Sequence, residues 1–226
     1  MLLAVDTSTA QVGLAIYDGA RVIGEYAWRS AHGAQGGRHT VELAPAIFEF
    51  LGRCGLKVEE VRALGVALGP GSFTSLRVGL SLVKGLALSR QLPLVGIPTL
   101  DILAAAQVLS KLPLVVAIQA GRGRFAVGWY KRSRNGWRAK VPARVLTLEA
   151  LINEVTSPTI LVGELTARER QTLAGKPEFQ LASPAQSVRR PAVLAELAWV
   201  RWQAGDVDNE ATLAPIYLHV AEPVPA

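Results

Sequence analysis

The chain has 226 residues, 50% of them hydrophobic and 19% charged, which suffices for one large domain or two small ones with separate cores. No apolar run approaches the roughly 18 residues a membrane helix needs, the start (Met1-Leu2-Leu3-Ala4-Val5-Asp6) has no basic leader and does not read as a signal peptide, and one cysteine, Cys54, excludes an intrachain disulfide or a thiol metal cluster, so a cytosolic protein is expected. The net charge of +6 is unevenly placed: eight cations (Arg122, Arg124, Lys131, Arg132, Arg134, Arg138, Lys140 and Arg144) and no acid lie between Arg122 and Arg144, and the rest of the chain is slightly acidic.

In chain order, Leu2 to Val5 is a short apolar strand ending at Asp6-Thr7-Ser8-Thr9. Gln11 to Tyr17 reads as a second strand, Asp18-Gly19 as a hairpin turn and Arg21 to Trp28 as a third strand, all antiparallel. Ser30 to Arg38 lacks periodicity and is expected to be a loop. His39 to Cys54 is a helix with one interior proline, Pro45. Leu64 to Leu68 is a buried strand, Gly69-Pro70-Gly71-Ser72 a turn, and Phe73 to Arg90 a helix. Leu94 to Ile97 is a strand, and Thr99 caps a helix running to about Leu109. Leu114 to Gln119 opens a second unit, with a hairpin through Phe125–Lys131 and Gly136–Val141, a strand at Thr159 to Val162 and a last long helix from Val193 to Trp202. The order predicts two domains, 1–110 and 111–210, with the tail 211–226 a candidate addition to the first.

Four segments carry a family resemblance: Leu3-Ala4-Val5-Asp6-Thr7-Ser8-Thr9; the stretch from Gly69 to Leu80, GPGSFTSLRVGL; Gly85-Leu86-Ala87; and Pro215-Ile216-Tyr217-Leu218. Together they span nearly the whole chain, which resembles the bacterial TsaB (YeaZ) family. The resemblance implies an α/β protein with the two-domain actin-like, sugar-kinase or Hsp70 ATPase (ribonuclease H-like) fold. It also implies a non-catalytic subunit that pairs with TsaD, the paralogue that installs threonylcarbamoyl on the adenosine beside the tRNA anticodon. A TsaE-like ATPase is a further implied partner, and a homodimer forms in the absence of TsaD. Two rival readings stay open: an active ATP-dependent kinase or carbamoyl transferase of the same fold, and a homodimeric scaffold with no tRNA role.

In ATP-using members of this superfamily, a turn like Asp6-Thr7-Ser8 meets nucleotide phosphates, with Asp6 near Mg²⁺ and Gly71 on the following turn. The competing reading, favoured here, is a turn that satisfies its own backbone. A working kinase needs a second carboxylate, and the corresponding strand end has Gln119, where TsaB-like sequences usually carry Asp. A neutral amide holds no divalent cation by charge. Ser72 reads as a helix cap rather than an anion site or nucleophile, and no Lys-Ser/Thr follows to make a Walker loop. TsaD-like enzymes bind metal with two histidines four apart at the start of the first helix. Here Leu43 follows His39 at that spacing, and His32 and His219 are isolated, so no metal site and no cofactor are expected.

The helices are apolar over more of their circumference than a sheet covers. Leu43, Ile47, Phe50 and Cys54 form one stripe of the first, and Val41, Ala44, Phe48 and Leu51 widen it to about half. The helix from Phe73 leaves only a notch of Arg77, Ser81 and Lys84. A partner surface of Leu43, Ile47, Phe48, Leu51, Leu76, Leu80 and Val83 is therefore expected. Lys131, Arg132, Arg134 and Arg138 crowd the end of the basic hairpin, as candidate contacts to tRNA phosphates or as a solvated tip.

Overall fold

Leu2–Asp6 (β1) is apolar at successive positions because both of its faces are covered; all five residues are buried. The computed structural model describes residues 1–29 and 39–218. β1 pairs antiparallel with Gln11–Tyr17 (β2), which pairs antiparallel with Val22–Arg29 (β3). On its other side β1 runs parallel to Ala63–Ala67 (β4), itself parallel to Leu94–Ile97 (β5), so the sheet order is β3-β2-β1-β4-β5. The expected loop 30–38 lies outside the described residues.

One face of this sheet is covered by two helices, His39–Arg53 (α1) and Phe73–Arg90 (α2). Leu3, Val5, Leu14 and Val66 from the strands meet Leu43, Ile47, Leu51, Leu80 and Val83 from the helices in a single cluster. The opposite face is lined by Leu2, Ala4, Ala15, Ala63 and Val95, and it receives Leu194, Ala195 and Ala198 of Pro191–Gln203 (α6). Alanines let that helix come close: a methyl group on Gly65 would stand 2.9 Å from the Ala198 Cβ.

The chain divides into one unit of Met1–Ile102 with Arg190–Ile216 and a second containing Leu103–Arg189. The sequence-based boundary placed 111–210 together, and the structure corrects this. α6 belongs to the first unit, because the alanine-rich face of the first sheet is the surface it buries. The helix that starts at Thr99 (α3, Thr99–Ala105) is also shorter than expected, ending four residues before Leu109. There the Gln107 side-chain amide donates to the Leu103 carbonyl and takes up a helix-end acceptor.

In the second unit, Leu114–Gln119 (β6) pairs antiparallel with Arg124–Ser133 (β7), which turns back into Gly136–Ala139 (β8). Arg144–Thr147 (β9) also lies against β7 and leads into Leu148–Glu154 (α4). Thr159–Gly163 (β10) lies parallel to β6, and after Ala167–Ala174 (α5) the strand Phe179–Leu181 (β11) lies parallel to β10. The order is β11-β10-β6-β7-β8. Phe125, Val127, Val115 and Leu161 pack under Leu151 and Leu173 of the two helices. β9 and β11, four and three residues long, are too short to show a strand period in the sequence. Among the described residues no helix is long and apolar enough to cross a membrane.

Candidate functional site

β1 delivers Asp6, Thr7 and Ser8 to the end of the first sheet, and all three are buried there. Their polar groups are committed locally. The Asp6 carboxylate accepts from the Ser8 N–H at 2.9 Å and from the Ser8 hydroxyl. The Thr7 hydroxyl donates to the Ser75 carbonyl at 2.8 Å, and the Ser72 N–H donates to the Ser8 carbonyl at 2.7 Å. The Gly69–Ser72 turn and the start of α2 therefore sit directly on the Asp6–Ser8 turn.

Two glycines allow that approach. A Cβ on Gly71 would fall 2.0 Å from the Ser8 carbonyl oxygen, and one on Gly79 would fall 2.1 Å from Thr7 Oγ1. At these two positions the turns lie too close together to admit a methyl group. Asp6, Thr7, Ser8 and Gly71 are brought together, with the Asp6 carboxylate accepting from Ser8 and Gly71 against the Ser8 carbonyl. Ser72 caps α2, accepting from the Ser75 N–H at 3.5 Å. Ser75 Oγ, buried in the same layer, has no hydrogen-bond partner among the described residues. Thr99 is not a helix cap: its hydroxyl accepts from the Gly69 N–H at 3.0 Å while its own N–H donates to the Gly69 carbonyl, which locks the turn where Gly69 has φ +99°.

At the corresponding place in the second unit, the Gln119 amide closes β6. It donates to the Glu164 carbonyl at 3.0 Å and to the Glu169 carboxylate at 3.3 Å. Glu169 also accepts from the Thr166 N–H at 2.6 Å in a capping box at the start of α5. Glu164 forms an ion pair with Arg189, whose side chain is fully buried. The amide at position 119 donates to a neighbouring carboxylate; an aspartate there would repel it. Glu164, Glu169 and Arg189 were missed by sequence reasoning. They lie 45 to 70 positions from Gln119: the parallel pairing of β10 with β6 brings Glu164 beside it, α5 presents Glu169, and Arg189 joins through its ion pair with Glu164.

Among the described residues no group of three His, Cys, Asp or Glu side chains could hold a metal ion. His39 opens α1, but its side chain is outside the described residues, as are His32 and His219. Cys54 is half-buried beside Gly24 and Phe50, and burial raises its thiol pKa above the usual value, which disfavours the thiolate.

The expected partner surface requires correction. Leu43, Ile47, Leu51, Leu76, Leu80 and Val83 are each at most 5% exposed, buried by the chain's own first unit. Of the seven residues only Phe48 is outward, at 56%. Among the described residues of α1 and α2, the large apolar side chains that face away are Phe48, Phe73 and Leu88, with Arg77 stacked over the Phe73 ring at 3.7 Å. On α2 the exposed positions Thr74, Arg77, Ser81, Gly85 and Leu88 form one stripe at helical spacing, small in its middle. On the hairpin, Lys131, Arg132, Arg134 and Arg138 are all exposed, as expected.

A model of the family "TsaD: tRNA N6-adenosine threonylcarbamoyltransferase" matches residues 28–188. The tRNA threonylcarbamoyladenosine biosynthesis protein TsaB of Bacillus subtilis is 30% identical over 227 aligned positions, 98% of this chain and 95% of that one. The tRNA N6-adenosine threonylcarbamoyltransferase of Syntrophus aciditrophicus is 38% identical over 88 residues, but these are only 26% of its length. The solved structure of YeaZ from Pseudomonas aeruginosa superposes with a TM-score of 0.74 at 24% identity, covering 96% of this chain and 99% of that one. The shared architecture is the two-unit actin-like α/β fold expected from the sequence. Matched end to end by a TsaB protein and only locally by the transferase, the chain belongs to the TsaB family.

Proposed function

We propose that this chain is a non-catalytic subunit that supports a TsaD-type enzyme in forming threonylcarbamoyladenosine in tRNA. The observation that carries the reading is the state of the two strand-end turns. In the first, the groups that would hold phosphate and metal are bonded to one another, with Gly71 and Gly79 pressed against them. In the second, a neutral amide stands where a carboxylate would be needed, and it is bound to Glu169. Such a chain contributes surface rather than chemistry.

The surface best suited to pairing is the outer side of α1 and α2, where Phe48 and Leu88 project beside the open glycines Gly52 and Gly85. Small residues between apolar knobs let a facing helix approach closely. The TsaD-type paralogue is the proposed occupant, a second copy of this chain takes its place when the paralogue is absent, and a TsaE-like ATPase joins the pair. The purified chain alone is expected to turn over no ATP, and its addition is expected to raise tRNA modification by the TsaD-type enzyme of the same organism. Metal-dependent ATP turnover by the chain alone, lost in Asp6→Ala, would overturn the reading.

A further inference from the structure

The β7–β8 hairpin carries a charge arrangement that folding by itself disfavours. Lys131 and Arg138 are directly opposed in the ladder, so their side chains leave by the same face. Like charges at opposed positions destabilise a strand pair. Arg132 leaves by the other face opposite Trp137, and Arg134 sits in the two-residue turn between Ser133 and Gly136. Lys131, Arg132, Arg134, Arg138 and Lys140 are all exposed, and among the described residues none of them is in an ion pair. Arg144, at the end of the basic segment, meets Glu154, and outside the segment Arg21, Arg53, Arg189, Arg190 and Arg201 each meet a carboxylate. A hairpin with no acid from 122 to 144 and a like-charge pair at its centre is built for an anionic partner.

The aromatic residues of the segment are already committed. Phe125 is buried in the core, Trp129 is covered by the Arg144 guanidinium 4.7 Å from its ring, and the Trp137 indole N–H donates to the Gln107 carbonyl at 3.1 Å. These commitments disfavour stacking of a base on the hairpin, while five cations have no ion pair among the described residues. Building on the proposed role in tRNA modification, we infer that Lys131, Arg138 and Lys140, with Arg132 and Arg134 at the tip, contact the phosphate backbone of tRNA without reading its sequence.

The test uses the full chain assembled with the TsaD-type enzyme of the same organism and an unmodified, in vitro transcribed tRNA, titrated at several salt concentrations. Lys131→Glu turns the opposed like charges into an opposite pair. It is expected to unfold at the same or a higher temperature than the parent, to pair with the enzyme as the parent does, and to bind tRNA more weakly. Lys131→Glu with Arg138→Glu is expected to weaken tRNA binding by roughly tenfold at low salt and to flatten the slope of log affinity on log salt by about two. An unrelated RNA hairpin should lose affinity by the same factor. Parental affinity and slope in the double variant overturn the inference, as does a loss confined to one RNA sequence. A loss of binding to anionic phospholipid vesicles with tRNA binding unchanged also overturns it, and assigns the face to lipid. A parent chain that neither pairs with the enzyme nor raises modification overturns the subunit role, and the hairpin inference with it. A parent that does both, with tRNA binding unmoved in the double variant, overturns the hairpin inference alone.

Discussion

Gly79 and Gly85 lie fewer than two turns apart on α2, yet they are glycine for different reasons. At Gly79 a methyl group would meet Thr7 Oγ1 at 2.1 Å, whereas at Gly85 nothing lies within 4 Å. Gly79→Ala is expected to push the helix off the Asp6–Ser8 turn and cost about 1–3 kcal/mol. Gly85→Ala is expected to stabilise the isolated chain by about 0.5–1 kcal/mol through helix propensity, and to weaken pairing where a facing helix fills that space. Urea unfolding of both variants checks the first pair of effects, and analytical ultracentrifugation the second. Glu25 provides a pH prediction. Burial works to raise its carboxyl pKa, but hydrogen bonds from Arg190 and from the Ala192 N–H, with the guanidinium charge, bring it below the usual carboxylate range. A carboxylate whose pKa is depressed by folding adds stability above its unfolded pKa and loses it as pH falls through the folded value. Glu25→Gln should therefore be less stable than the parent at pH 7, with the gap closing below about pH 4. A gap that stays constant with pH would show that the ion pair contributes no stability.

At the scale of the element, the helix layer shows how far periodicity carries. The stripes on α1 and α2 were legible, and so was the excess of apolar surface over what a sheet covers. What periodicity could not assign was the cover. A helix in a two-helix layer is buried by the sheet beneath it and also by its neighbour, and this accounts for Leu43, Ile47 and Leu51 without any second chain. Adjacent residues separate the two roles. Ile47 is 2% exposed and Phe48 is 56% exposed. Ile47→Glu is expected to prevent folding, since an unpaired buried carboxylate costs several kcal/mol. Phe48→Glu should change stability by no more than about 0.5 kcal/mol and abolish pairing with the TsaD-type partner. Circular dichroism and a pull-down on the same two proteins decide this; a folded Phe48→Glu that still pairs would remove the outer face as the interface.

For the molecule as a whole, the decisive feature is that the first unit is discontinuous in sequence. Its sheet has two apolar faces, and α6, arriving from residue 191 onward, covers the second. A fragment ending at Ser110 exposes Leu2, Ala4, Ala15, Ala63 and Val95 together. It is expected to show no cooperative unfolding transition, whereas the full chain does. A cooperative melt of that fragment would show that the helix is dispensable.

The sequence by itself determined the three antiparallel opening strands, the extents of α2 and β6, the basic hairpin and the family resemblance. These depend on neighbours a few residues apart, through alternation, helical period, turn chemistry and a long contiguous motif. Tertiary structure alone decided which unit owns α6, that Thr99 locks the Gly69 turn, that Gln119 binds Glu169, and which side of the helix layer is free. Each of these joins residues 30 or more positions apart, or asks which of several apolar faces meets which. An apolar stripe specifies that burial must occur, because hydrophobic burial is non-directional; only the packed chain specifies the partner.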